Sequence, residues 1–214
     1  MRLMTIRTDR VISSAEFLEF ADLQLDSLDE GMIAVAAEHL QALANNKNFL
    51  LDKVNDGLLQ LGARSVLSAS AATMILGRCR TKGWFIRANL WPPVPHTDSP
   101  TERGVFSYEG VHDHNFSFLT ANYMGPGYET EVWLNRSACR EGHEVGDQVQ
   151  LEYQGRFVLA PFTQMYYQHG TDVHLQLSPS ELSVSLNLMF NDPEVRLRPQ
   201  HSFDVRRSCV TDRP

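Results

Sequence analysis

The chain has 214 residues, 43% of them apolar and 21% charged, with a formal net charge of −7. That length can bury a full core without disulfides or a structural metal, and the composition excludes disorder of the whole chain. The acidic balance argues against nucleic acid as a partner, and the lack of any ~18-residue apolar run argues against a membrane span.

Arg2 and Arg7 are not followed by an apolar stretch, so no secretory signal is expected. Cys79, Cys139 and Cys209 are odd in number and widely spaced, which fits reduced thiols in a cytoplasmic protein. The first third reads as helices. Ser13 and Glu16 have capping-box spacing, and Phe17, Leu18, Phe20, Ala21, Leu23 and Leu25 follow at roughly helical intervals. Asp29 is placed to cap a second helix with the stripe Ile33, Ala36, Ala37, Leu40 and Leu43, ended by Asn45-Asn46. A third helix is expected from Phe49 to about Leu61, with Gly62 as its stop.

Strand-like sequence begins at Trp84. Four prolines between Trp91 and Pro100 forbid helix and central strand, so this stretch reads as a surface loop, a connection rather than a lid. From Gly104 onward short strands alternate with turn signals at 125–127, 141–143, Gly146, Gln154-Gly155, Gly170 and 178–180. This pattern predicts an all-β barrel or sandwich. The polar, basic stretch from Arg196 to Pro214 is expected to wrap the surface or fray.

Within the strand region stands Val-His-Asp-His-Asn. Two histidines at i and i+2 on a strand point to the same side, so His112 and His114 can converge on one cation. On an unbroken strand Phe106, Tyr108, Phe116 and Phe118 share that face, and Asp113 points away. A third ligand should come from a later strand. His174 is preferred over His169, and His143 is expected to face solvent. On the strand from Leu182 to Phe190, Val184, Leu186, Leu188 and Phe190 form an apolar face; Ser183, Ser185, Asn187 and Met189 form the other. The second face either meets water, as is usual for an antiparallel strand, or lines a pocket with Ser185 and Asn187 as hydrogen-bonding groups.

Three segments together resemble the cupin superfamily, and within it the thiol dioxygenases of the cysteine dioxygenase type. They are His112-Asp-His-Asn-Phe-Ser-Phe-Leu with the hairpin through Trp133, Phe85-Ile-Arg-Ala-Asn-Leu-Trp91, and Leu182 to Phe190 with His174 upstream. The resemblance implies a mainly β cupin-type double-stranded β-barrel (jelly roll) over 81–195, a helical segment over 1–80 packed on it and a tail over 196–214, all in one domain. It implies an Fe(II) site of His112, His114 and His174, Arg87 clamping a substrate carboxylate, and dioxygen as co-substrate. Zn, Ni and Mn are the alternative metals. The usual cupin glutamate is absent at Ser117 and Phe118, with Glu131, or Glu129 beside it, the nearest substitute. The family's Ser-x-His-x-Tyr relay reads Ser185, Asn187, Met189, so a phenol would have to come from Tyr108, Tyr166 or Tyr167. The expected partner is a small amino-acid-like or thiol molecule, and a homodimer is expected by analogy. An isomerase or lyase using the same metal site, and a non-catalytic binding barrel, are the competing readings.

Overall fold

The computed structural model describes residues 1–59, 72–94, 100–138, 142–190 and 197–213. In chain order these form β1 (Arg2–Thr5), α1 (Ser14–Gln24), α2 (Glu30–Ala44), α3 (Phe49–Leu59), β2 (Thr73–Arg78), β3 (Trp84–Trp91), α4 (Pro100–Val105) and β4 (Phe118–Met124). There follow β5 (Glu129–Asn135), β6 (Leu151–Val158), β7 (Thr163–Tyr167), β8 (Asp172–Leu177), β9 (Ser183–Phe190), β10 (Ser202–Asp204) and β11 (Cys209–Asp212). Among the described residues no helix is long and apolar enough to cross a membrane. Cys139 and Gly62 lie outside the described residues.

The helix starts follow from their caps. Ser13 Oγ accepts from the Glu16 amide at 3.2 Å, and the Glu16 carboxylate accepts from the Ser13 amide at 2.8 Å. Asp29 Oδ1 accepts from the amides of Gly31 and Met32. Asn45 closes α2 and also donates to the carbonyls of Thr8 and Arg10, tying the chain entering α1 to the end of α2. Phe17, Phe20 and Ala21 of α1 are buried, as expected, but Leu23 is exposed.

All strands pair antiparallel with their sheet neighbours. One sheet runs β1-β7-β4-β9-β3-β2 and a second runs β6-β5-β8. β4 pairs with β9 while β5, next in the chain, pairs with β8, so the strand pairs are nested as in a jelly roll. The protein is thus a mainly β, jelly-roll barrel with a helical N-terminal part. The helices cover the outer face of the larger sheet, where Phe17, Phe20, Leu40 and Leu43 pack on Ile86, Leu119, Leu186 and Leu188. The opposite face, with Trp91, Phe118, Tyr128, Met165, Tyr167 and Met189, closes the barrel interior.

Five expectations are corrected. The first third is not wholly helical, because β1 and β2 run as the two edges of the larger sheet. Gly104 lies in α4, not in a strand region. Gly155 sits inside β6, where the register shifts against β5, and its φ of 127° explains the glycine at that bulge. The run 106–117 is not an unbroken strand, since Ser107 and Glu109 adopt φ of 56° and 63°. The C-terminal stretch does not fray: β10 and β11 pair as a hairpin that buries Phe203 and Val210.

Candidate metal centre

The segment carrying His112 and His114 is a strand insert of minimal length. His112 exchanges both backbone hydrogen bonds with His174 of β8, at 3.0 and 2.9 Å. On its other edge, Asp113 donates its amide to His201 O at 3.1 Å, and Phe203 of β10 donates to Val111 O at 2.9 Å. The insert therefore joins the smaller sheet to the C-terminal hairpin. A directly paired position on an antiparallel ladder points to the same face as its partner, so His174 meets His112, and His114 joins them by the i, i+2 rule.

One ring nitrogen from each of the three histidines lies within 4.8 Å of the others. His114 Nε2 and His174 Nε2 are 2.9 Å apart. Two nitrogens each ~2.1 Å from a shared ion and ~90° apart would be ~3.0 Å from one another, so this pair fits a common cation. The Nδ1 of His112 lies 2.9 Å from Gly110 O and donates to it, which leaves Nε2 with a free lone pair. Burial pushes all three imidazoles below the usual histidine range, His114 and His174 furthest; neighbouring histidines add to the lowering of those two, while the Gly110 carbonyl and Asp113 oppose it at His112. They are held neutral, the form that ligates a metal.

The walls are aromatic. Phe116 stacks on His114 at 4.8 Å and Phe118 meets it edge-on at 5.0 Å, while Tyr167 lies 4.5 Å from the His174 ring. His112 and His114 open onto a cavity of about 340 Å³ also lined by Arg87, Asn89, Trp91, Phe106, Phe116, Phe118, Tyr128, Gln176 and Asn187. Burial brings the Arg87 guanidinium down to about 10, opposed by the nearby Tyr128, and its Nε has no hydrogen-bond partner.

The other predicted residues fall at different depths. Asn187 lines the cavity, and its Oδ1 accepts from Thr120 at 2.6 Å and from Ser185 at 3.3 Å. Ser185 stands behind it and accepts from the Trp91 indole at 3.0 Å. The polar face of β9 is thus buried inside the barrel instead of meeting water, because helices already cover the other face. Tyr108 donates its hydroxyl to Pro92 O at 2.9 Å and does not line the cavity. Glu131 is not among the grouped donors, and Glu129 is ion-paired with Arg156. His169 bonds Ser117 Oγ at 3.1 Å, away from the triad. His143 is half-buried against His201, not solvated as expected.

Among the cavity residues that escaped the sequence reading are Tyr128, Asn89 and Gln176. Asn89 and Gln176 had a usable signal, since Asn89 is two residues from Arg87 on β3 and Gln176 two from His174 on β8. Tyr128 is fully enclosed; burial raises its phenol well above the ordinary value, which keeps it protonated.

No protein-family model and no curated protein matches the chain. Among solved structures, one of those of the DMSP lyases RdDddP and RnDddQII aligns over 56% of this chain and 46% of its own, with 14% identity and a TM-score of 0.33. The hydroquinone 1,2-dioxygenase PnpCD in complex with Cd2+ and 4-hydroxybenzonitrile aligns over 56% of this chain and 63% of its own, with 12% identity and a TM-score of 0.32. The DMSP lyase DddQ from Ruegeria pomeroyi DSS-3 aligns over 90% of this chain and 79% of its own, with 13% identity and a TM-score of 0.31. This chain spans less than two thirds of the length of the first two.

Proposed function

We propose that the protein is a metal-dependent cupin oxygenase that holds iron(II) through His112, His114 and His174 and acts on a small carboxylate-bearing molecule. The observation that carries this reading is the meeting of buried His174 with half-buried His112 and His114, the latter two sharing a cavity with the half-buried Arg87. An iron(II) ion held there would supply the electron chemistry that activates dioxygen. Arg87 binds the substrate carboxylate, a task suited to a planar fork with no acidic partner among the described residues. Phe106, Phe116 and Phe118 exclude water around the reacting group. Asn187 is fixed by Thr120 and Ser185, so its remaining amide donors keep a set direction at the cavity wall. Tyr128 holds a proton beside Arg87.

That phenol favours a second reading, a metal-dependent lyase or isomerase in which Tyr128 moves a proton and dioxygen takes no part. Metal analysis of freshly purified protein, joined to oxygen uptake with candidate amino acids and thiols, separates the two. Iron near one equivalent with substrate-dependent oxygen uptake is the expected result. His112→Ala should lose the metal. Turnover that persists without oxygen selects the lyase reading, and a protein that takes up no divalent metal sinks both.

A further inference from the structure

The insert that carries His112 and His114 is short. Its ladder contacts are single bridges, His112 with His174 on one edge and His112 with Ser202 on the other. The run before it breaks strand geometry at Ser107 and Glu109. A ladder this short fixes few backbone dihedrals, and the side chain between the two histidines supplies the missing constraint. Asp113 is fully buried and alternates away from its neighbours. Its Oδ1 accepts from the His201 amide at 2.6 Å, its Oδ2 accepts from the His201 ring Nδ1 at 2.9 Å, and its own amide donates to His201 O at 3.1 Å. Three bonds to one residue fix both the backbone and the side chain of Asp113.

His201 is held in its turn. Its Nε2 accepts from the His143 amide at 3.0 Å, so in the neutral ring Nδ1 carries the proton and donates to Asp113. Gly142, at φ 79°, lets the chain close over this ring: a Cβ there would lie 2.1 Å from Pro199 Cγ and 3.1 Å from His201 Nε2. The result is a buried clamp running from the His143 amide through His201 to Asp113. An apolar pair of similar volume would serve stability about as well, so what this pair adds is direction. Rotation of the peptides flanking Asp113 would swing both imidazoles. We propose that His201 is a positioning residue of the metal centre, acting through its Nδ1 bond to Asp113 to set the spacing and direction of the His112 and His114 rings. This rests on the reading of the three histidines as ligands of one ion.

The test loads the full chain with cobalt(II) and reads its visible d–d spectrum and its affinity by chelator competition, with the melting temperature measured metal-free. In His201→Asn an amide nitrogen can stand where Nδ1 stands and keep the donation to Asp113. In His201→Gln an amide oxygen can stand where Nε2 stands and keep only the acceptor for the His143 amide. His201→Gln should lose about tenfold or more in cobalt affinity and change the spectrum, whereas His201→Asn should keep the spectrum and most of the affinity. Val210→Ala, a buried change in the same C-terminal hairpin, should lower the melting temperature and leave the spectrum unchanged. Wild-type behaviour of both His201 variants, equal losses in the two, or the same spectral change in Val210→Ala overturns the proposal and spares the metal centre. A wild-type chain that takes up no cobalt overturns both. Where a His201 variant does not fold, the wild-type protein decides: the His201 Nδ1–H proton resonance should shift on zinc loading, and an unmoved resonance overturns the proposal.

Discussion

The two sides of the His112-Asp113-His114 insert differ in how their polar atoms are treated. Beside the cavity, Arg87 Nε, Asn89 Oδ1 and Gln176 Oε1 are buried without a hydrogen-bond partner. Behind the insert the network is closed. Asp113 is fully buried, and its carboxylate accepts from the His201 amide at 2.6 Å and from the His201 ring Nδ1 at 2.9 Å. His201 Nε2 in turn accepts from the His143 amide at 3.0 Å, and His114 O accepts from the Gly170 amide at 2.9 Å. One residue thus separates unpartnered polar atoms from a closed network. A closed network fixes geometry, whereas an unpartnered buried polar atom costs stability.

Breaking the clamp should have the largest effect. Asp113→Ala strips the acceptor from two buried His201 donors, which should lower stability by ~2–5 kcal/mol. Even where the variant stays folded, metal affinity should fall ~10–100-fold, because the ligands lose their fixed backbone. Urea denaturation and competition titration with a chelator read the two effects separately. Asp113→Asn, which keeps one acceptor, should fall between.

On the cavity side the same kind of change should behave oppositely. Arg87→Met removes a buried donor that has no partner, so ligand-free stability should hold or rise, by up to ~2 kcal/mol, while carboxylate affinity falls ~10–100-fold. A loss of stability comparable to that of Asp113→Ala would show that Arg87 belongs to the scaffold and would erase the contrast.

Acid should act on the metal-free protein in a defined window. His114 and His174 titrate below the ordinary value of 6.5 in the folded state because burial opposes their charge. The unfolded chain takes up those protons first, so stability should decline as pH drops below about 6.5. Bound metal should flatten that decline. Denaturation midpoints measured with and without added zinc check both statements.

The smallest effect should come from a closed network at the surface, remote from the site. Asp22 accepts from the amides of Arg80, Thr81 and Lys82 and from the Thr81 hydroxyl in the β2–β3 turn, which lowers its carboxyl to about 2. Its contribution is present above the ordinary value of 3.8 and is lost as pH falls toward 2, so Asp22→Asn should abolish one small component of the acid limb.

The open side of the site was more legible in sequence than the closed side. His112 and His114 were found by strand alternation, although the flanking backbone is irregular; only the ladder pairing with His174 was needed for them to converge. Arg87 came from family resemblance alone. The polar face of β9 was left open between water and a pocket because nothing along a single strand tells which face helices will cover. Here Leu186 and Leu188 met α2 and α1, so Ser185 and Asn187 turned inward. His201 was invisible, since a histidine in a polar stretch carries no pattern until Asp113 stands next to it. β1 and β2 were missed because short edge strands carry little of the alternation that marks a half-buried one.

The joining of His112 to both His174 and Ser202 has a consequence for the life of the molecule. The ligand segment is completed by pairings across nearly ninety positions of chain, since Asp113 waits for His201. A chain still emerging from the ribosome holds His112 and His114 long before the hairpin that sets them exists. The geometry of the three histidines is therefore completed late, only once the segment carrying His201 has been made.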